Sequence, residues 1–368
     1  MNIKSLLLGS AAALAAVSGA QAADAIVAAE PEPMEYVRVC DAFGAGYFYI
    51  PGSETCLKVG GRIRVDAYHG NAYDLSSKGE GTFMNTRAEL YMQSASDTEW
   101  GALKTNIVAR FDWNQHQQTG YGGSYPDQTR TRLMVGTIDI AGFTFGLQDS
   151  LYEQLLGYAG NVINDDVINY GPSEVNQIDY TYKGSNGITA FIGAEDDGQN
   201  KRDGVTYGYD THNSDAPNGV AGIKYDNGKF MAGIVGGYDE SEQAGVLKAR
   251  LNGNFGALSL FILGGWNMDG NKISNYAPGS KYGGTTAIGW GDWAFWTGGT
   301  YKFSSKLATN VQVAYTDSKV FEATADLAWT PAAGFLIEPE VTYVNIDNDT
   351  PAVKSDQWEG IVRFQRTF

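Results

Sequence analysis

From Cys56 onward, apolar side chains recur at every second position in stretches of about ten residues, and turn-forming residues separate the stretches. In the first stretch Leu57, Val59, Gly61, Ile63, Val65 and Ala67 alternate with Lys58, Gly60, Arg62, Arg64, Asp66 and Tyr68. A period of two sends these two sets to opposite faces of a strand, one apolar and one charged. Residues 84–94 set Met84, Ala88, Leu90 and Met92 against Arg87, Glu89, Tyr91 and Gln93. Residues 102–113 set Leu103, Ile107, Ala109, Phe111 and Trp113 against Lys104, Asn106, Arg110 and Asp112. The rhythm returns at 143–149, 175–183, 187–195, 220–225, 229–238, 245–252, 257–266, 292–303, 306–316, 320–329, 335–346 and 358–368, while 131–140 has no clear phase. The pattern predicts an all-β chain of about sixteen strands.

The connections alternate as well. Ala141-Gly142, Gly184-Ser185-Asn186, Asp226-Asn227-Gly228, Ser304-Ser305 and Pro331-Ala332-Ala333-Gly334 are tight, and most of the intervening connections are longer and polar. Short turns at one end and long loops at the other describe a transmembrane antiparallel β-barrel in its bilayer. A soluble sandwich also alternates, but it has no reason to sort its loops by length. An even strand count brings both ends of the barrel to the side of the short turns.

Aromatics such as Trp113, Phe143, Trp293, Trp329, Tyr343, Trp358 and Phe368 fall near predicted strand ends, where interfacial girdles sit; packing at subunit contacts is the other reading. In the last stretch Trp358, Gly360, Val362, Phe364 and Phe368 share one face, which Arg366 interrupts near a rim where a long side chain can reach headgroups. An amphipathic strand ending in an aromatic resembles the signal read by the barrel-assembly machinery, with Phe364 and Phe368 as its elements.

Composition supports export and a barrel. Residues 1–22 read as a signal peptide: Lys4, an apolar run from Leu6 to Val17, and Ala20-Gln21-Ala22 as a small-x-small cleavage site. No later segment holds the roughly 18 consecutive apolar residues of a helical span. Mean hydropathy is −0.27, as expected where only alternate residues face lipid. The formal charge of −16 argues against nucleic acid, which needs a basic footprint. The only cysteines, Cys40 and Cys56, close a short loop within segment 23–55, ahead of the barrel at 56–368. In an exported chain a disulfide is the simplest reading, with free thiols as the alternative.

Four segments carry a family resemblance: MNIKSLLLGSAAALAAVSGAQAADAIVA, EYVRVCDAFGAGYFYIPGSETCLKVGGRIR, GYAGNVINDDVI and the ending GIVRFQRTF. They are similar to the alphaproteobacterial porins of the rhizobial–Brucella group, and the match runs from first residue to last. The resemblance implies a sixteen-stranded barrel, a homotrimer in the outer-membrane lipid bilayer, and a passive pore for small hydrophilic solutes and ions. Segments 196–218 and 267–290 carry no such likeness.

The candidate site is a constriction. In general porins the third external loop folds inward, and the strand count puts residues 149–174 in that place. Leu155, Leu156, Val162, Ile163, Val167 and Ile168 would pin this loop to the wall and leave Asp165 and Asp166 facing the opening. Opposite would stand inward basic residues: Arg62, Arg64, Arg87, Lys104 and Arg110, with Arg132, Lys248, Arg250 and Arg363 as further candidates. Acid facing base across a narrow aqueous gap sets a transverse field. The plainer alternatives are that the arginines pair with Asp66, Glu89 and Asp112 to stabilise the interior, and that Asp165 and Asp166 cap or turn the loop.

Catalysis finds little support. His69, His116 and His212 fall in or beside predicted external loops, and no nucleophile elbow, zinc-protease motif or phosphate loop is present. The sequence therefore calls for no cofactor and no metal. A substrate-specific channel would carry an aromatic ladder, and inward aromatics such as Tyr91 and Phe191 are too scattered for one.

Overall fold

The structure, a computed structural model, describes residues 38–70, 81–114, 128–196, 201–202, 205–206, 216–280, 282, 287–347 and 356–368. The signal segment 1–22, residues 23–37, His116 and His212 lie outside the described residues.

Sixteen strands form one closed antiparallel barrel, and each of the sixteen predicted stretches falls on one of them. They are β1 (Cys56–Gly70), β2 (Gly81–Thr98), β3 (Gly101–Asn114), β4 (Gln128–Ile140), β5 (Phe143–Asp149), β6 (Glu174–Lys183), β7 (Ile188–Glu195) and β8 (Asn218–Asp226). The second half comprises β9 (Phe230–Asp239), β10 (Ala244–Phe255), β11 (Leu258–Asn267), β12 (Trp293–Lys302), β13 (Leu307–Thr316), β14 (Val320–Ala332), β15 (Phe335–Ile346) and β16 (Asp356–Thr367). Each pairs with its chain neighbours, and β16 returns to β1 in a register from Glu359 opposite Gly70 to Thr367 opposite Arg62. Phe368 extends the seam by exchanging backbone hydrogen bonds with Gly61, at 2.9 and 3.0 Å. Gly61 leaves room for that last residue: a methyl group there would come within 3.0 Å of the Phe368 ring.

The uncertain phase of 131–140 has a physical cause. Val108 pairs with Val135 but Ala109 pairs with Leu133, so β4 carries one extra residue, Met134, at a bulge. A bulge flips the inside–outside alternation on one strand and spares its partner.

The outer face is an apolar belt. Val59, Ile63, Leu133, Ile192, Leu251, Ile262 and Val341 point outward and are about half exposed. Aromatics cluster at both rims: Phe143 with Tyr180 and Phe230 with Phe255 at the short-turn end, Trp293 with Tyr315 and Tyr343 with Trp358 at the long-loop end. Arg366 sits at the short-turn rim and donates to the Ala333 carbonyl. Lipid covers such a belt, so no water-excluding core is needed on that side of the wall.

Cys40 and Cys56 form a disulfide, with Cα atoms 6.0 Å apart. The loop it closes turns back on the barrel, as Phe48–Tyr49 pairs with Leu57 and Cys56. The Tyr47 hydroxyl there donates to inward-facing Gln93 (3.1 Å).

The buried apolar cluster lies inside the barrel, between loop residues and one half of the wall. It joins Tyr152, Leu155, Leu156, Val167, Ile168 and Tyr170 to Val220, Val235, Leu263, Trp296, Ala314 and Val344.

Candidate functional site

The connection from β5 to β6, residues 150–173, enters the lumen. It opens with α1 (Leu151–Gln154), capped by the Ser150 side chain accepting from Tyr152 N–H. Ser150 Oγ also donates to Glu195 at the end of β7, which anchors the outgoing limb (2.7 Å). Inward-facing glycines on the wall make sockets for this limb. A methyl group on Gly222 would come within 2.6 Å of Leu155, and one on Gly233 within 2.7 Å of Leu156. Leu155, Leu156, Val162, Val167 and Ile168 are buried as expected, and Ile163 is half-buried. Glu153 on α1 is buried too. Burial, with Asp149 beside it, holds its carboxyl well above the usual carboxylate range against the opposing pull of Lys248.

The tip of the loop is held by its backbone. Glu340 accepts from the N–H groups of Ile163 and Asn164. The Asn164 amide donates to Thr342 and Glu359, both at 3.0 Å. The Gln312 amide donates to the Asp165 carbonyl (2.9 Å). Asp165 and Asp166 are half-buried, and the Asp165 carboxylate accepts from the Tyr170 hydroxyl (2.6 Å).

A second loop, between β11 and β12, also packs inside, which the sequence did not reveal. Ser274, Asn275, Tyr276, Ala277, Ser280 and Tyr282 are buried. The ring of Tyr276 lies 5.0 Å from that of Tyr152. Its hydroxyl joins Ser150 in donating to Glu195 (3.0 Å). Again the wall supplies sockets: a methyl group on Gly237 would come within 2.4 Å of Tyr276, and one on Gly265 within 2.5 Å of Trp290.

The opposite wall, β16 with β1–β4, carries the arginines. One cross-strand row reads Arg62, Glu89, Arg110, Arg132, and the next reads Gln365, Arg64, Arg87, Asp112. Glu89 forms ion pairs with both Arg62 and Arg110 and accepts a hydrogen bond from Arg110 (2.6 Å). Arg87 pairs with Asp112 (2.6 Å), Arg363 with Asp66 (2.8 Å) and Arg132 with Glu174 at the foot of the loop (3.0 Å). Arg64 donates instead to the neutral amide of Gln365, twice at 3.1 Å. Among the described residues, six guanidiniums on this side of the lumen share four ion-paired carboxylates, and Glu338 on β15 stands directly across from Arg363. Like charges directly across from each other, as Arg64 and Arg87 are, cost stability in a sheet. The five ion-paired arginines keep between 12% and 30% of their side-chain surface exposed.

Three expected basic residues stand elsewhere. Lys104 pairs in register with Ala95 and Asp139, six residues and about 20 Å of strand from Arg110 toward the short-turn end. The structure does not bring it to the arginine rows. Lys248 and Arg250 lie under the loop. Lys248, 1% exposed, donates to the Tyr170 carbonyl (2.7 Å), and Arg250 donates to those of Gly157 and Tyr158. Their alternation is inward as read, but the loop covers them, and strand phase alone cannot tell a lumen-facing site from one beneath a loop. Phe364 and Phe368 point outward at the short-turn rim, 41% and 65% exposed. His69 contacts Thr82 near the long-loop end (2.9 Å), and no group of side chains suited to a metal occurs among the described residues.

A closed barrel with an apolar outer belt, aromatic rims and a loop folded into a charged lumen defines a transmembrane channel. Comparison with known proteins places it more closely. The model of a porin subfamily matches residues 24–363. Over the full length of both chains, the sequence is 41% identical to the porin Omp2b of Brucella canis and 40% identical to that of Brucella abortus. Among solved structures, the barrel resembles the anion-selective porin from Comamonas acidovorans, with TM-score 0.57 and 14% identity over 86% of this chain and 100% of that one. It also resembles Salmonella typhi OmpF in a complex with daunomycin, with TM-score 0.56 and 9% identity over 87% and 99%. The chain belongs to the porin subfamily and forms a general diffusion channel across the outer membrane.

Proposed function

We propose that small hydrophilic solutes cross along one side of the lumen, between the arginine wall and the free edge of the inward loop. The observation that carries this reading is the asymmetry of the interior. Arg62, Arg64, Arg87 and Arg110 stand partly exposed on β1–β3, while the inner face of β8–β15 is buried under two loops. Asp165 and Asp166 form the acidic border of the passage, and the arginines form its basic border. A transverse field in a narrow aqueous gap orients polar solutes and holds back apolar ones, which meet ordered water. Passage is passive, with no chemical step. The assembled unit is a homotrimer, and the barrel-assembly machinery reads the terminal strand with Phe364 and Phe368.

Single-channel recording of the purified protein in a planar bilayer tests this. Ohmic conductance with closures in threes is expected; no stable conductance would sink the pore, and solitary closures would sink the trimer. Replacing Asp165 and Asp166 with Asn should move the reversal potential in a salt gradient toward anions. An unmoved potential would remove both residues from the passage.

A further inference from the structure

The return limb of the inward loop is buried without strand or helix partners, so its backbone groups must find side chains. They find them in an unbroken series. The carbonyl of Val167 accepts from Ser280 Oγ (3.2 Å), that of Ile168 from Trp296 Nε1 (2.9 Å), that of Asn169 from Trp290 Nε1 (2.8 Å), and that of Tyr170 from Lys248 Nζ (2.7 Å). Two donors come from the barrel wall, on β10 and β12, and two come from the loop between β11 and β12. The Lys248 ammonium also lies 4.1 Å from the Tyr152 ring centroid on the outgoing limb and 5.4 Å from that of Tyr170 on the return limb. One buried cation therefore joins both limbs, at a depth where cation–π attraction is little screened. The Trp290 and Trp296 rings meet edge to face at 5.4 Å, and Trp290 sits in the socket left by Gly265.

We propose that Ser280, Trp290, Trp296 and Lys248 form a latch that positions the constriction, and that the loop between β11 and β12 thereby sets the open cross-section of the pore. The latch grips main-chain carbonyls, so it fixes the path of the inward loop whatever side chains that loop turns to the water. It rests on the reading of residues 150–173 as the constriction. These four residues do not touch the passing solute; they act through the loop they hold.

The test compares Lys248→Met, which keeps the stem and removes the donor and the charge, with Trp290→Phe and Ser280→Ala, each of which removes one donor. Single-channel current noise and the sugar size limit in liposome swelling are read on full-length barrels that pass a heat-mobility check of assembly. Loss of a charged hydrogen bond should raise the time spent with the loop displaced about tenfold. That appears as added open-channel noise and faster entry of larger sugars, and Lys248→Arg should restore the quiet channel. The reversal potential should stay at the wild-type value, because Lys248 is buried away from the solute path. Quiet channels with an unaltered size limit in the assembled variants would overturn the latch. Where Lys248→Met fails to assemble, Trp290→Phe and Ser280→Ala decide between the same two outcomes. Loss of all conductance in the wild-type protein would instead overturn the pore.

Discussion

Arg64 is the sharpest point at which to test the basic wall, because its side chain bonds a neutral amide where the neighbouring arginines bond carboxylates. Replacement by Gln removes one unit of charge and keeps a side chain able to meet Gln365. At about 5 Å in water, a unit charge changes the energy of a passing monovalent ion by about 0.8 kcal/mol. Screening over a Debye length of about 10 Å at 0.1 M salt lowers this to about 0.5 kcal/mol. The effect has opposite sign for anion and cation, so their ratio shifts by about 1 kcal/mol, or about fivefold. Arg64→Glu removes two units and should shift the ratio about 25-fold. The assay is the reversal potential of the purified channel across a tenfold KCl gradient. Arg366→Gln, with its charge on the outer face of the rim, is the control. If Arg64→Gln moves the potential no more than Arg366→Gln, the solute path does not run along this wall. Raising the salt to 1 M should shrink the difference, since the Debye length falls to about 3 Å.

Three further substitutions follow from the packing. Gly265→Ala puts a methyl group 2.5 Å from the Trp290 ring, and overpacking of about 1–3 kcal/mol should lower the thermal transition of the assembled barrel. Glu340→Ala leaves the Ile163 and Asn164 N–H groups without their acceptor, at about 1–3 kcal/mol, and hydrogen exchange should accelerate at those two amides before it does in the strands. Cys40→Ser opens a loop spanning a sequence separation of 16, a loss of about 3 kcal/mol of constraint. Segment 41–55 should then be cut by protease while single-channel conductance stays near wild type, because β1 keeps both of its neighbours.

The strands were legible because lipid demands strict alternation on one face, and alternation survives in sequence as a period of two. The single strand with an unclear phase, β4, is the one whose bulge at Met134 breaks that period. The inward loop was legible from the strand count, which gave it the place of the inward third loop that the porin resemblance implies, and from its apolar residues. The second inward loop was not: its burying residues, Tyr276, Trp290 and their neighbours, follow no period, and their partners are glycines. A signal did exist. Gly236-Gly237 and Gly264-Gly265 each place a glycine pair in a strand, where glycine weakens pairing unless something approaches closely. Strand phase put Lys248 and Arg250 inside, and the structure agrees. Whether an inward residue meets water or a loop depends on tertiary packing that the phase does not carry. For Lys104 the phase was again right, but the position along the strand took it out of the arginine rows.

The seam between β1 and β16 is the one pairing that closes the barrel across the length of the chain. Every other pairing in the barrel joins strands adjacent in the chain and can form locally, with little loop-closure entropy. The seam joins residues nearly the whole chain apart, and its final pair is Gly61 with Phe368. Until this seam forms, β1 and β16 each present an unpaired backbone edge, which neither water-free lipid nor a neighbouring chain can safely meet. That single long-range pairing is therefore what separates an open, adhesive sheet from a barrel without edges.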